Sequence, residues 1–180
     1  MHLNELSYQK IKKKYLKFVK SQEVLSEPFR DKIDQLNNFY IPISQMIYKT
    51  YLKNKKTQVI GLTGGQGSGK STISKILKIL LKESFNLETV IFSIDDFYKT
   101  RKERKKMSKN ISPLFLTRGV PGTHDTQMLL RSIESLKNSK FKKILIPKFN
   151  KGFDDRTSKD KWLKVNKKPN IVIFEGWCVG

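Results

Sequence analysis

Lys70 and Ser71 close the run Gly64-Gly65-Gln66-Gly67-Ser68-Gly69-Lys70-Ser71, in which a glycine is followed by four residues, a second glycine, a lysine and a serine. Glycines let a backbone turn its N–H groups inward, and at this spacing they cradle nucleotide phosphates. Lys70 then reaches the β- and γ-phosphates as a catalytic cation, and the Ser71 hydroxyl ligates Mg²⁺. Gly64, Gly65, Gln66, Gly67, Ser68, Gly69, Lys70, Ser71 and Thr72 are the candidate ATP-binding residues. The competing reading is a glycine-rich turn with no ligand. It is the weaker one, because the motif follows a run with strand character and opens a run with helical character.

Two carboxylates, Asp95 and Asp96, follow the apolar run Val90-Ile91-Phe92-Ser93-Ile94. At the carboxyl end of a parallel strand they face the crevice where ligands bind. Asp95, nearer the strand end, is the candidate general base toward a substrate hydroxyl, or a Mg²⁺ ligand; Asp96 is secondary. Either could instead cap a helix. Glu175 stands at the tip of the apolar run Ile171-Val172-Ile173-Phe174 and suits a magnesium contact, direct or one shell out. An ordinary strand-end glutamate is the alternative.

Two further loops hold polar side chains. Arg118-Gly119-Val120-Pro121-Gly122-Thr123-His124-Asp125 reads as a turn leading into a helix capped by Thr123 or Asp125. Lys148 to Arg156 reads as a polar loop after a short strand, where Arg156 recognises a carboxylate or phosphate, or pairs with Asp154 or Asp155.

The elements that must position these groups follow from periodicity. Residues 3–20 space Leu3, Leu6, Tyr8, Ile11, Tyr15, Leu16 and Phe18 as an amphipathic helix. Ser26-Glu27-Pro28 predicts the start of a second helix, broken before Pro42 and resumed to the polar linker at Lys53 to Lys56. Residues 1–56 are thus expected to form an N-terminal helical extension and 57–180 the catalytic core. In the core, the runs at Val59, Thr89, Ile144 and Ile171 predict strands, Ser71 to Leu81 and Asp125 to Leu136 predict helices, and residues 101–110 predict a loop or short helix. Continuous apolar strands alternating with helices imply an α/β fold with a parallel sheet covered by helices on both faces.

Composition narrows the class. The formal charge is +21, but only six of the 37 basic residues are arginine and the lysines are scattered, which favours a solvated surface over a nucleic-acid footprint. One cysteine, Cys178, cannot form an internal disulfide or build a zinc site by itself. With no long apolar run and no signal-peptide core, a cytoplasmic protein without a membrane span is expected.

In this order, Gly61-Leu62-Thr63-Gly64 through Thr72, Ser93-Ile94-Asp95-Asp96-Phe97-Tyr98, Arg118 to Asp125 and Phe174-Glu175-Gly176-Trp177-Cys178-Val179-Gly180 resemble the glycerate kinase branch of the phosphoribulokinase and uridine kinase superfamily. The resemblance runs from about Tyr40 to the last residue. It implies a P-loop NTPase fold, ATP with Mg²⁺, and phosphorylation of a small hydroxy acid, D-glycerate before nucleosides, pantothenate or sugar phosphates. It further implies Asp95 as the general base and Glu175 in the magnesium site. Arg118, His124, Lys151, Asp155 and Arg156 then line the acceptor pocket, with Asp96, Tyr98 and Asp125 from the same strings. Relatives carry an aspartate where this chain has Asn150. They also continue past the Glu-Gly-Trp strand into a lid with arginines, so the chain is expected to stop short of that lid. A nucleotide-binding regulator without turnover is the reading from another class.

Overall fold

The computed structural model describes residues 5–24 and 28–179. Its centre is a three-stranded parallel sheet in the order β1-β7-β2, made of β1 (Gln58–Thr63), β7 (Ile171–Gly176) and β2 (Thr89–Ser93). Gln58 lies opposite Ile171 on one side of β7 and Thr89 lies opposite it on the other, so all three strands run out at one edge. β7 is buried on both faces, which is why its residues read as one apolar run without alternation.

Period two assigns those faces. Ile171 and Ile173 pack with Ile47 of α3 (Ile41–Asn54) and with Leu77 and Leu81 of α4 (Lys70–Phe85). Val172, with Phe174 packed against the cluster, meets Leu129 and Leu136 of α6 (Thr126–Lys137). Helices therefore cover both faces of the sheet. On the far side of α4, Ile76 and Leu80 meet Ile11 and Tyr15 of α1 (Glu5–Gln22). Burying each such side chain contributes about 1.5–3 kcal/mol. α4, whose first residue is Lys70, is thus held on two sides, and the helices before residue 57 share their cores with it.

Several expectations at the N-terminal side change. Ser26 and Glu27, like Leu3, lie outside the described residues; Pro28 to Arg30 are irregular and helix begins at α2 (Lys32–Gln35). Asp31 in front of it is left-handed, with φ 47°. The helix does not break at Pro42. It widens into a π turn over Leu36–Tyr40, where the Ile41 N–H donates to the Leu36 carbonyl, and then continues as α3. In a regular α-helix the proline ring would meet the carbonyl four residues back, and the wider turn just before it relieves that conflict.

Residues 101–110 form α5 (Arg101–Asn110), whose N-terminus carries a reciprocal cap between Thr100 and Glu103. The strand expected at Ile144 is present as β3 (Ile144–Ile146), but it is outside the parallel sheet and pairs antiparallel with β6 (Leu163–Val165). The polar loop after it is a short hairpin, β4 (Phe149–Asn150) against β5 (Asp155–Arg156). Two- and three-residue strands offer too few side chains for periodicity to register. Among the described residues, no helix is long and apolar enough to cross a membrane.

Candidate active site

The loop between β1 and α4 turns on Gly67 and Gly69, at φ +77° and +79°, where a side chain is strained. A Cβ added at Gly65, Gly67 or Gly69 would meet no atom within 4 Å, so this stretch wraps open space. Lys70 Nζ donates to the Gly64 and Gly65 carbonyls at 2.8 and 2.6 Å. The Gly64 N–H donates to the Gly176 carbonyl at 3.2 Å, tying the loop to the end of β7. There, a Cβ on Gly176 would come within 2.7 Å of Ile94 and Val179 side chains, so glycine is required for close packing.

Glu175, 8 % exposed, accepts from the Ser71 hydroxyl at 2.7 Å on one oxygen and from the Ser74 hydroxyl at 2.8 Å on the other. Ser71 and Ser74 are one turn apart on α4, so the same helix face supplies both donors. Ser74 was not singled out from the sequence. Its signal is a fully buried hydroxyl three residues from the motif serine.

The two aspartates after β2 occupy different surroundings. Asp95 Oδ2 pairs with Lys151 Nζ, from the tip of the β4–β5 hairpin, at 2.8 Å. Asp96 turns inward and accepts from the Ser93 N–H at 3.1 Å and Lys148 Nζ at 2.7 Å, with the Phe149 N–H at 3.5 Å. It caps the 3-10 turn Ile94–Phe97 while Ser93 accepts from the Asp95 N–H. Lys148 is a second residue that sequence reasoning passed over.

The Arg118 to Asp125 loop is zipped to this turn: the Asp125 N–H donates to the Phe97 carbonyl at 2.7 Å and the Lys99 N–H to the Thr123 carbonyl at 2.8 Å. The pairing stacks the rings of Tyr98 and His124, 4.1 Å apart, with Phe149 edge-on to Tyr98 at 5.3 Å. Burial, then the Asp95 carboxylate, push the Tyr98 phenol above its ordinary 10.0. Burial lowers the His124 imidazole below its ordinary 6.5, against a smaller opposing pull from Asp95. Arg118 lies over the Phe149 ring, 5.3 Å from its centre.

The remaining expected residues frame the site through protein contacts. Asp125 caps α6 by accepting from the Met128 N–H at 3.0 Å. Asp155 accepts from the Arg101 and Arg156 N–H groups at 2.9 and 2.8 Å. Arg156 donates to the Tyr98 carbonyl at 2.8 Å. Arg104, which the polar pattern of residues 101–110 concealed, is fully buried.

The donor set fits ATP with Mg²⁺. Hydroxyl and carboxylate oxygens of Ser71, Glu175 and Asp95 suit a hard cation, which takes one or two carboxylates and fills its other positions from phosphates and water. No cluster of three His, Cys, Asp or Glu side chains that could hold a metal occurs among the described residues. The loop leads directly into the N-terminus of α4, an end of a helix that favours negative charge. Bound there, magnesium would neutralise the phosphates and ATP would supply the phosphoryl group.

Comparison with known proteins agrees with this geometry. The chain is 39 % identical over 129 residues to the uncharacterized kinase mug58 of Schizosaccharomyces pombe, covering 68 % of this chain and 46 % of that protein. It is 32 % identical over 130 residues to the chloroplastic D-glycerate 3-kinase of Arabidopsis thaliana, covering 68 % of this chain and 28 % of that one. The chain therefore spans about half the length of such relatives, or less. A solved D-glycerate 3-kinase from Cryptococcus neoformans, 24 % identical, shares the fold with a TM-score of 0.66 over 77 % of this chain and 51 % of its own. The model of the Phosphoribulokinase / Uridine kinase family matches residues 59–179, a span that holds the phosphate loop, both aspartates and Glu175, and the chain belongs to that family.

Proposed function

We propose that this chain is the ATP- and Mg²⁺-dependent kinase of a small hydroxy acid, with D-glycerate as the acceptor and 3-phosphoglycerate as the product. One observation carries the reading: the carboxyl ends of three adjacent strands present, in order, the phosphate loop, Glu175 and Asp95. Lys70 and Ser71 hold the phosphates and metal from α4, and Glu175 orients Ser71 and supports the cation. Asp95, one strand beyond, accepts the proton of the acceptor hydroxyl. Lys151, Tyr98, His124 and Arg118 surround it on the acceptor side, while Asp96, Asp125, Asp155 and Arg156 hold the loops that carry them.

Arg118, over the Phe149 ring that packs against Tyr98, and Lys151 on Asp95 favour an acceptor with a carboxylate or phosphate, which supports glycerate over an uncharged nucleoside. The reading takes the protein as cytoplasmic, with nucleotide and acceptor as its partners. A coupled ADP-release assay over D-glycerate, pantothenate, uridine and ribulose 5-phosphate tests it. Turnover with D-glycerate is expected; turnover confined to another of the four would reassign the acceptor, and ATP binding with no turnover on any would leave a nucleotide-binding regulator.

A further inference from the structure

We propose that α5, the 3-10 turn Pro113–Leu116 that follows it and the tip of the β4–β5 hairpin form a docking face for an anionic lipid bilayer. Apolar side chains enter the interface, and the lysines of α5 meet the headgroups.

Four large apolar side chains stand in solvent there: Ile111 is 68 % exposed, Leu114 66 %, Leu116 49 % and Phe153 78 %. Single exposed apolar residues need no explanation, but a group of them does. These four belong together. Ile111, Leu114 and Leu116 follow one another at the end of α5, and the buried guanidinium of Arg104 joins them to the hairpin. Its Nη1 donates to the Leu116 carbonyl and its Nη2 to the carbonyl of Asp154, the neighbour of Phe153, both at 2.7 Å.

Local bonding holds them outward. The Leu114 N–H donates to Ser112 Oγ at 3.4 Å and opens the 3-10 turn, in which half-buried Phe115 lies against Gly122 while Leu114 and Leu116 face water. At the hairpin tip, Asn150 Oδ1 accepts from the Gly152 and Phe153 N–H groups at 2.8 and 3.0 Å, so the backbone under Phe153 is tied while its ring projects. Side chains that project from a helix end, a turn and a hairpin tip are knobs. A partner helix is received in a groove, whereas knobs enter a soft apolar layer. Two clefts of the fold, lined by Met128 and Leu145 and by Phe18 and Ile79, lie elsewhere.

α5 supplies the sign of the partner. It turns Arg104 inward and sends Arg101, Lys102, Lys105, Lys106 and Lys109 to solvent, against one acid, Glu103, which is taken up in the cap with Thr100. Lys102, Lys105, Lys106 and Lys109 share one arc of the helix and have no ion-pair partner among the described residues. Lysine stems lie along apolar surface while their ammonium groups reach outward to headgroups. Lysines beside exposed Leu, Ile and Phe are the composition of an interfacial element. A duplex nucleic acid would answer the lysines and leave the four apolar side chains in water.

Co-sedimentation of the whole chain with vesicles tests the face, using phosphatidylcholine alone and phosphatidylcholine with about 30 % phosphatidylserine at about 0.15 M salt. The chain should bind the anionic vesicles and not the neutral ones. A net charge of +21 attracts any anionic surface, so the deciding variant changes no charge. Ile111→Ser with Leu114→Ser should weaken binding about tenfold or more. Phe153→Ser, at the hairpin tip, repeats the test should that pair fail to fold by circular dichroism. Lys105→Gln with Lys106→Gln and Lys109→Gln should weaken binding about 10²-fold. The same loss of charge beside the starts of β1 and β7, Lys56→Gln with Lys167→Gln and Lys168→Gln, should cost less than about threefold. Equal binding to both vesicles, or equal losses from the two lysine triples, overturns the proposal. Duplex RNA is the parallel arm: RNA binding that needs Lys105, Lys106 and Lys109, with vesicle binding that survives both apolar variants, overturns the bilayer and assigns the face to nucleic acid.

Discussion

Asp95 and Asp96 are neighbours in sequence, and replacing each with alanine should damage different properties. Asp96→Ala strips the Ser93 N–H of its acceptor in a place only 8 % exposed, and an unsatisfied buried donor costs about 1–3 kcal/mol. The lost pair with Lys148, whose side chain is 39 % exposed, adds no more than about 1 kcal/mol after solvent screening. The 3.5 Å contact with the Phe149 N–H adds little. The loss is about 1–4 kcal/mol, which in a chain of 180 residues lowers Tm by about 2–15 °C. Asp95→Ala removes a pair whose lysine is 64 % exposed, costs less than about 0.5 kcal/mol, and moves Tm by about 2 °C or less. Turnover should show the reverse pattern. Asp95→Asn keeps the shape, removes the proton acceptor and should slow the reaction about 10²-fold or more, with ATP affinity retained. Thermal melts by circular dichroism and ADP-release rates on the same preparations measure both properties. Equal Tm losses in the two alanine variants, or a slower reaction in Asp96→Asn than in Asp95→Asn, would refute the division of labour.

Ser74→Ala leaves one oxygen of the buried Glu175 without its donor and should cost about 1–2 kcal/mol in urea unfolding, with weaker magnesium dependence of ATP binding; unchanged stability would mean that solvent replaces the hydroxyl. Gly176→Ala drives a Cβ into Ile94 and Val179 and should cost about 1–3 kcal/mol while displacing the phosphate loop bonded to the Gly176 carbonyl. Loss of stability with intact ATP affinity would uncouple the two. For His124, burial places the folded pKa below the unfolded 6.5, so the unfolded chain binds more protons under that pH. Stability from this residue is complete above 6.5 and falls as pH drops toward the folded value. His124→Phe keeps a ring against Tyr98 and should flatten urea stability between pH 7 and 5.5; an equal fall in wild type and variant would remove His124 as the cause.

The strands and helices that carry the phosphate loop, Asp95 and Glu175 were legible because their apolar runs are long: Ile171 to Phe174 reads as a buried strand and Ile73 to Leu81 as one helix face. The place of Asp95 at the strand end sets it ahead of Asp96, but the inward turn by which Asp96 caps the following 3-10 turn was not legible, since an aspartate there could face the crevice or cap a helix. Arg104 stayed hidden because a lone inward arginine in a run of lysines carries no periodic signal. The hairpin that brings Lys151 to Asp95 has two-residue strands, shorter than the period that would disclose them. Proline at position 42 predicted a break, but tertiary packing of Ile47 and Tyr40 holds the helix on both sides of it and the π turn absorbs the conflict.

The row β1-β7-β2 also behaves as a ruler. Hydrogen-bonded strands lie about 4.8 Å apart, so two spacings, about 10 Å, separate the strand that launches the phosphate loop from the strand that leads into the turn holding Asp95. That interval is written in main-chain geometry, beyond the reach of side-chain exchange. Under the proposed function, the loops from Tyr98 to Asp125 and from Lys148 to Arg156 can change with the acceptor, because the main-chain span between the phosphate loop and Asp95 is set by the sheet. Under that proposal, mutations that change the acceptor should fall in those loops. Mutations in the buried residues of β7 should instead lower the stability of the sheet that carries both ends of the interval, whatever the acceptor.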